Sequence, residues 1–258
     1  MKPLNLFLES WKLLSNKKVF ALLGIEFLFF LLMAVNVTIS FSFISENFNE
    51  LKNFEQGFTV DESASADYIY GSLLSLSGTL DEIFKVAVVS FIIFFLIFGF
   101  FAGIAWKFSA NLVSRKKLFN RYDAKYFFNV YLLSFIWFLI FAAAFYLLYN
   151  YWFSYEIFSV ILILFFYFLW ISLSCFIFEN KVFNSFLKGM ELAAIRAYVF
   201  IPAFLLLLIL LAASSYLFEI FDSNLVHILG SLLGVFIFIW FRIFLILICK
   251  ESISGHAP

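Results

Sequence analysis

The sequence predicts an all-α membrane protein with six transmembrane helices and both termini in the cytoplasm. Of its 258 residues, 65% are hydrophobic and 13% are charged, and the mean hydropathy is +1.03. Soluble domains average ~45–50% apolar and ~25% charged residues, so lipid is the expected solvent for most of this chain. The apolar residues form six runs of spanning length, and the basic residues are distributed unevenly between the segments that connect those runs.

An amphipathic segment precedes the first apolar run. Residues 1–18 place several apolar side chains on one helical face, so we expect an interfacial helix that lies in the membrane surface. These side chains are Leu4, Phe7, Leu8, Trp11 and Leu14. The run that follows exceeds the ~7–15 residues of a signal-peptide core, which favours a span over a cleavable signal.

The six spans are assigned by length and oriented by charge. They are residues 19–44, 83–106, 127–149, 157–178, 198–218 and 225–249. With the N-terminus inside, most of the 17 basic residues fall in cytoplasmic segments and most of the 17 acidic residues fall outside. This asymmetry follows the positive-inside rule and places both termini in the cytoplasm. We expect residues 1–258 to form a single integral membrane domain.

Two connecting segments are long enough to have structure of their own. The outer segment 45–82 is acidic, and helically spaced apolar residues predict short amphipathic helices on the outer leaflet rather than a cation or substrate site. The inner segment after the second span is basic with interleaved aromatics. Beside two spans, contact with anionic lipid explains it better than nucleic-acid binding. The expected lipid contacts are Arg115, Lys116, Lys117 and Arg121.

A short pattern recurs along the chain. "NLFLESWKLLSNKKVFALL" precedes the first span and "NSFLKGMELAAIRAYVFIP" precedes the fifth. In the second copy Phe183, Phe186, Leu187, Met190 and Ala194 form the apolar face. We expect three units, each an interfacial helix followed by a two-span hairpin.

The same two segments are similar to segments of known membrane domains. "FLESWKLLSNKKVF" and "VFNSFLKGMELA" resemble a group of six-span prokaryotic membrane domains. That group includes the membrane domain attached to some glycerophosphodiester phosphodiesterases, and it is similar in layout to Yip-type membrane proteins. These residues contain nothing like the soluble phosphodiesterase domain, so no catalytic residue is carried over. The resemblance implies a non-catalytic membrane domain.

Two opposite charges lie well inside the predicted spans. Glu26 is eight residues after Lys18, and Arg242 is eight residues before Lys250. Both therefore lie ~12 Å below the cytoplasmic edge. A charge at the membrane centre costs at least ~2.5 kcal/mol and commonly pairs with another. We expect an intramembrane ion pair that closes the bundle. Separate accommodation of each charge, or a proton or cation relay through Glu26, are the alternatives.

Two GxxxG motifs predict close helix packing. Gly99 and Gly103 lie in the second span, and Gly230 and Gly234 lie in the last. Small residues at this spacing allow backbones to approach. The two motifs lie at different depths, so we expect them to serve different contacts, with the second joining the last two spans.

The sequence lacks the motifs of catalysis and metal binding. It has no HExxH, GxSxG or P-loop pattern. Cys175 and Cys249 have no CxxC context, and His227 and His256 fall on opposite sides of the predicted membrane. We expect no enzymatic activity, no cofactor and no metal site.

The predicted role is that of a non-enzymatic membrane scaffold that interacts with the lipid bilayer, through anionic lipids or another membrane protein, and not with nucleic acid. The alternative is a transporter or channel subunit for a small solute that uses Glu26 and Arg242. A lipid-modifying enzyme is disfavoured by the motif search. The composition favours a prokaryotic plasma membrane over a eukaryotic internal membrane.

Overall fold

The computed structural model describes residues 3–57, 66–114, 124–152, 155–220 and 224–254. Within those ranges the chain forms eight α-helices and no strand. The helices are α1 (Pro3–Leu14), α2 (Val19–Gly57), α3 (Ala66–Val113), α4 (Ala124–Trp152), α5 (Tyr155–Glu179), α6 (Val182–Ile195), α7 (Ala197–Ile220) and α8 (Asn224–Ser254). The all-α class is therefore confirmed for the described residues.

Five of these helices, α2, α3, α4, α5 and α8, are long and apolar enough to cross a membrane. Val182–Ile195 and Ala197–Ala213 reach the required length and hydropathy only together, and they are bent by 89°. By length and composition, the described residues thus contain five candidate spans, or six if that pair is one broken span. This range is compatible with the polytopic membrane protein that the sequence predicts.

The helices divide into two compact units. The first, here the bundle unit, comprises Met1–Phe27 and Gly99–Pro258, and the second, here the hairpin unit, comprises Leu28–Phe98. Both boundaries lie inside continuous helices, α2 and α3, rather than in a Pro- or Gly-rich linker. That continuity explains why the sequence shows no domain boundary there.

The core of the bundle unit is built around α8. Every residue from Ile239 to Cys249 is buried except Arg242, which is partly buried. α8 packs against α1, α5 and α7. Trp240 fixes α1, because its indole Nε1 donates a hydrogen bond to Ser10 Oγ over 2.9 Å and its ring stacks on Trp11.

In the hairpin unit a polar cluster joins α2 to α3. Asn36 Nδ2 donates to the Ser90 carbonyl oxygen and hydroxyl, both at 3.3 Å. The Ser40 hydroxyl lies 2.7 Å from the Ser90 hydroxyl. Hydrogen bonds between polar side chains help to hold membrane helices together, so these residues have a structural role.

The acidic segment 45–82 differs from the prediction of short surface helices. α2 continues to Gly57 and α3 begins at Ala66, so most of this segment extends the two flanking helices. The cause is visible in the sequence, which has no proline or glycine between residue 45 and Gly57 to stop α2.

The turn between α5 and α6 is short because Asn180 adopts a left-handed conformation. Its φ angle is 51°, the only positive φ of a residue other than glycine in the described part of the chain. Asparagine tolerates this region better than most residues and commonly ends a helix there. The turn brings α6 back onto α5, and α6 then meets α7 at Arg196 with the 89° bend.

Candidate functional site

Glu26 on α2 and Arg242 on α8 form an ion pair in the bundle unit. Arg242 Nη1 contacts Glu26 Oε1, and the two side chains are 12% and 4% exposed, respectively. Burial reduces screening by water, which strengthens this attraction. The structure thus brings together the two charges that the sequence places at equal depth.

An aromatic ring completes this cluster. Arg242 Cζ lies 5.3 Å from the centroid of the Trp106 ring on α3, within the range of a cation–π interaction. Trp106 is itself buried. One guanidinium therefore holds α2, α3 and α8 together. Among the described residues, no group of three or more His, Cys, Asp or Glu side chains is arranged to hold a metal ion, here or elsewhere.

A second polar feature is a cleft where α3, α4 and α5 meet, here called the basic cleft. Its volume is about 310 Å³. Among the described residues, its lining includes two lysines. The lining residues are Lys107, Ala110, Asn111, Ser114, Lys125, Tyr126, Ile177, Phe178 and Asn180. The cleft lies where α3 and α5 end and α4 begins.

Contacts between helices hold the lining of the cleft in place. The Tyr126 hydroxyl donates a hydrogen bond to the Gly103 carbonyl oxygen over 3.1 Å. Lys107 Nζ lies 4.6 Å from the centroid of the Tyr126 ring. The fixed ring therefore positions the Lys107 ammonium group.

The first GxxxG motif meets aromatic rings rather than another backbone. A Cβ added to Gly99 would overlap the Tyr131 ring, and one added to Gly103 would lie 3.0 Å from Phe127 Cδ1. α3 and α4 therefore pack through rings seated on glycines. The small residues give the aromatics of α4 the space that they occupy.

The second motif does not give the close approach that the sequence predicts at Gly234. A Cβ added there would meet nothing within 4 Å among the described residues. Gly230 is buried. The spacing of small residues does not determine which face of a helix meets its neighbour, and at this level Val235 and Ile237 are the buried residues of α8.

A close approach between two helix backbones lies at a glycine that the motif search missed. A Cβ added to Gly189 of α6 would lie 2.8 Å from the Ser172 Cα of α5. Ser185, Gly189 and Ala193 are all buried and recur every four residues. This small-residue spacing is present in the sequence, but the apolar face at Phe183 and Leu187 gave the stronger pattern.

A cysteine pair was also missed. The Sγ atoms of Cys175 on α5 and Cys249 on α8 lie 3.9 Å apart, and both thiols are free and fully buried. They are 74 residues apart in the sequence, so no local motif could indicate the contact.

Several predicted residues lie outside the described ranges. They are the lipid-contact residues Arg115, Lys116, Lys117 and Arg121, together with His256. His227 is in α8, but its side chain is outside the described set.

Comparison with known proteins does not identify a relative: the chain matches no family model, no curated protein and no solved structure. The class that the fold supports is an all-helical integral membrane protein. The resemblance to phosphodiesterase-associated and Yip-type membrane domains stays a prediction.

Proposed function

We propose that this protein is a non-enzymatic membrane domain that acts by binding anionic lipids at the cytoplasmic membrane surface. The cytoplasmic side in this proposal is the side on which α3 and α5 end and α4 begins. The interfacial helices α1 and α6 and the basic segment that contains Arg115 would provide the contacts. A prokaryotic plasma membrane is the proposed location.

The observation that carries this proposal is the surface of α6. One face packs on the protein through Ser185, Gly189 and Leu192. The opposite face is exposed and itself divides into two strips. Phe183 and Leu187 are 70% and 63% exposed, respectively, and form an apolar strip with Met190. At 100° per residue, Asn184, Lys188 and Glu191 form an adjacent polar strip.

Such a division fits a helix that lies in the membrane surface, with the apolar strip toward acyl chains and the polar strip toward headgroups. α6 has 14 residues, fewer than the ~20 needed to span. Its 89° bend from α7 is the angle expected if α6 lies in the membrane plane and the 24-residue helix α7 (Ala197–Ile220) spans the membrane. α1 resembles it, with 12 residues and exposed Leu8 and Trp11.

The position of α6 can be tested with spin labels. We would attach a label at L187C and, as a matched control, at E191C on the polar strip of the same helix. The native cysteines are fully buried and should remain unlabelled. In nanodiscs we expect oxygen to broaden the signal at position 187 and a water-soluble nickel complex to broaden the signal at 191. Equal exposure of both sites to the nickel complex would contradict an in-plane helix.

Lipid binding can be tested by composition. The full chain would be reconstituted with an excess of phosphatidylcholine over phosphatidylglycerol and then extracted again. Mass spectrometry would identify the lipids that remain bound and give their relative amounts. We expect enrichment of phosphatidylglycerol without chemical change, and less enrichment in the quadruple variant R115Q/K116Q/K117Q/R121Q. The control K52Q/K85Q removes charges predicted to lie on the other side. No enrichment in the wild type would contradict the proposal, and an altered lipid would indicate an enzyme.

The buried charges favour this role over transport. Glu26 is neutralised by Arg242, and Asn36, Ser40 and Ser90 are engaged with one another in the hairpin unit. A relay through Glu26 would need further titratable groups along its path. Solute flux in liposomes that falls in E26Q would reverse this preference.

A further inference from the structure

Two buried cysteines face each other where α5 and α8 pack together. Cys175 Sγ and Cys249 Sγ lie 3.9 Å apart, and both side chains are fully buried and outside any disulfide. On the same two helices, the Trp170 ring packs on the Phe241 ring with centroids 5.5 Å apart, which fixes α5 against α8. The chain contains two cysteines in all, so this contact brings every thiol of the protein to one place.

The pair lies close to the ends of both helices. Cys175 is four residues before Glu179, the last residue of α5, and Cys249 is five residues before Ser254, the last residue of α8. At ~1.5 Å per residue, the thiols are ~6–8 Å from those ends. Helix ends open locally at a lower free energy than the core does. Such an opening admits a small ion more readily than a bulky thiol reagent.

The chemistry of two thiols restricts the ligand to a soft metal ion. Thiolates select copper(I), zinc and iron–sulfur clusters. Structural zinc sites and iron–sulfur clusters take four ligands, and the described part of the chain has no group of three His, Cys, Asp or Glu side chains that could hold a metal ion. A soft monovalent ion such as copper(I) is stable with two sulfur ligands, so this is the class of ion that the pair can coordinate.

The separation of the sulfurs suits a bridging ion better than a disulfide. Metal–thiolate bonds are ~2.3 Å long, so two sulfurs on opposite sides of one ion are ~4.6 Å apart. The observed 3.9 Å is shorter than that by ~0.7 Å. A disulfide bond of ~2.05 Å would instead require the sulfurs to approach each other by ~1.9 Å. Because side chains must move less to hold the ion, the geometry favours metal binding.

A positively charged side chain acts on the pair. Two thiolates on one monovalent ion carry one net negative charge, and a buried charge without a partner is costly. Arg196, at the bend between α6 and α7, interacts electrostatically with Cys249. Its positive charge therefore offsets part of the cost of burying the complex.

We infer that Cys175 and Cys249 form a binding site for one soft monovalent metal ion of the copper(I) type. Binding joins both sulfurs to the ion and releases their two protons, with no change in oxidation state. The site uses none of the surfaces proposed to contact lipid, so the inference goes beyond the proposed function and does not depend on it. It departs from the expectation drawn from the sequence, because the two cysteines are 74 residues apart and neither lies in a CxxC motif.

The test is anaerobic titration of the purified full chain with copper(I), supplied as its coloured bicinchoninate complex. We expect one ion per chain and a higher unfolding temperature, because the ion binds the folded state. In C175S and in C249S the apparent affinity should fall by about a hundredfold or more, since even the outer partners of metal ligands are worth ~10–100-fold. M33L/M190L is the matched control, since it removes thioether sulfurs and keeps both thiols. It should leave binding unchanged.

X-ray absorption at the copper edge keeps the test independent of how well the variants fold. In the wild-type complex we expect two sulfur neighbours around copper and neither nitrogen nor oxygen. Nitrogen or oxygen ligands, or an ion that is retained by C175S/C249S, would overturn the site. Absence of binding to the wild type would reduce the contact to a hydrogen bond between two thiols and would also overturn the inference.

Discussion

Replacing both members of the Glu26–Arg242 pair should destabilise the protein by less than the sum of the two single replacements. Glu26→Gln leaves the Arg242 guanidinium buried without its counter-ion, and Arg242→Gln does the same to the Glu26 carboxylate. Both side chains are almost inaccessible, at 4% and 12% exposed for Glu26 and Arg242, so water cannot replace the lost partner. The double variant removes both charges and leaves two amides that can hydrogen-bond to each other.

The magnitude follows from the contact and its burial. Two unit charges ~4 Å apart at an effective dielectric constant of ~20 attract by about 4 kcal/mol. Removing one partner of a buried pair costs ~3–5 kcal/mol, because the other charge stays buried. We therefore expect each single variant to lose about 3 kcal/mol or more and the coupling energy to be about 2–4 kcal/mol. Glu26→Gln should cost less than Arg242→Gln, because Trp106 still stabilises the guanidinium by a cation–π interaction.

The assay is reversible unfolding in mixed micelles for the wild type, both single variants and the double variant. The exposed pair Asp81–Lys85, with side chains 59% and 67% exposed, is the control, and its cycle should show no measurable coupling. Single costs that simply add in the double variant would refute a coupled pair. A stability gain in Glu26→Gln would refute a structural role for that carboxylate and would direct attention to transport.

Three further experiments test the packing. Gly189→Ala should cost ~1–3 kcal/mol of unfolding free energy, because the new methyl meets the α5 backbone. The control Gly24→Ala, which meets nothing within 4 Å, should gain up to ~1 kcal/mol from helix propensity, and a gain at both would contradict the contact. Trp240→Phe should lose ~1 kcal/mol with its hydrogen bond to α1, and an unchanged stability would argue against that docking. Cys175 and Cys249 should resist a water-soluble maleimide until the protein is denatured, and labelling of the folded protein would contradict their burial.

The sequence was sufficient for the features that depend on composition and helix geometry. The apolar runs predicted the helices because spanning length and hydropathy are properties of single segments. Glu26 and Arg242 could be matched because the rise per residue fixes depth, and no other charges lie as deep in the predicted spans. Neither step required knowledge of how any helix is rotated about its axis.

What depends on helix rotation could not be predicted. Cys175 and Cys249 meet because α5 and α8 turn those faces toward each other. Lys107 and Lys125 border one cleft because α3 packs on α4, where the Tyr131 and Phe127 rings lie against Gly99 and Gly103. At Gly234 the spacing matches a packing motif, but no described atom beyond its own stretch of helix lies within 4 Å of an added Cβ.

The most direct test of lipid binding at the cytoplasmic surface is photo-crosslinking with a phosphatidylglycerol that carries a diazirine in its headgroup. The full chain in nanodiscs would be irradiated and digested, and the labelled peptides would be identified by mass spectrometry. We predict that labels concentrate in α1, in α6 and in the basic segment 115–121, and that they decrease when unlabelled phosphatidylglycerol is added. Labels spread evenly over the ends of all helices, or unaffected by the competitor, would contradict specific anionic-lipid binding.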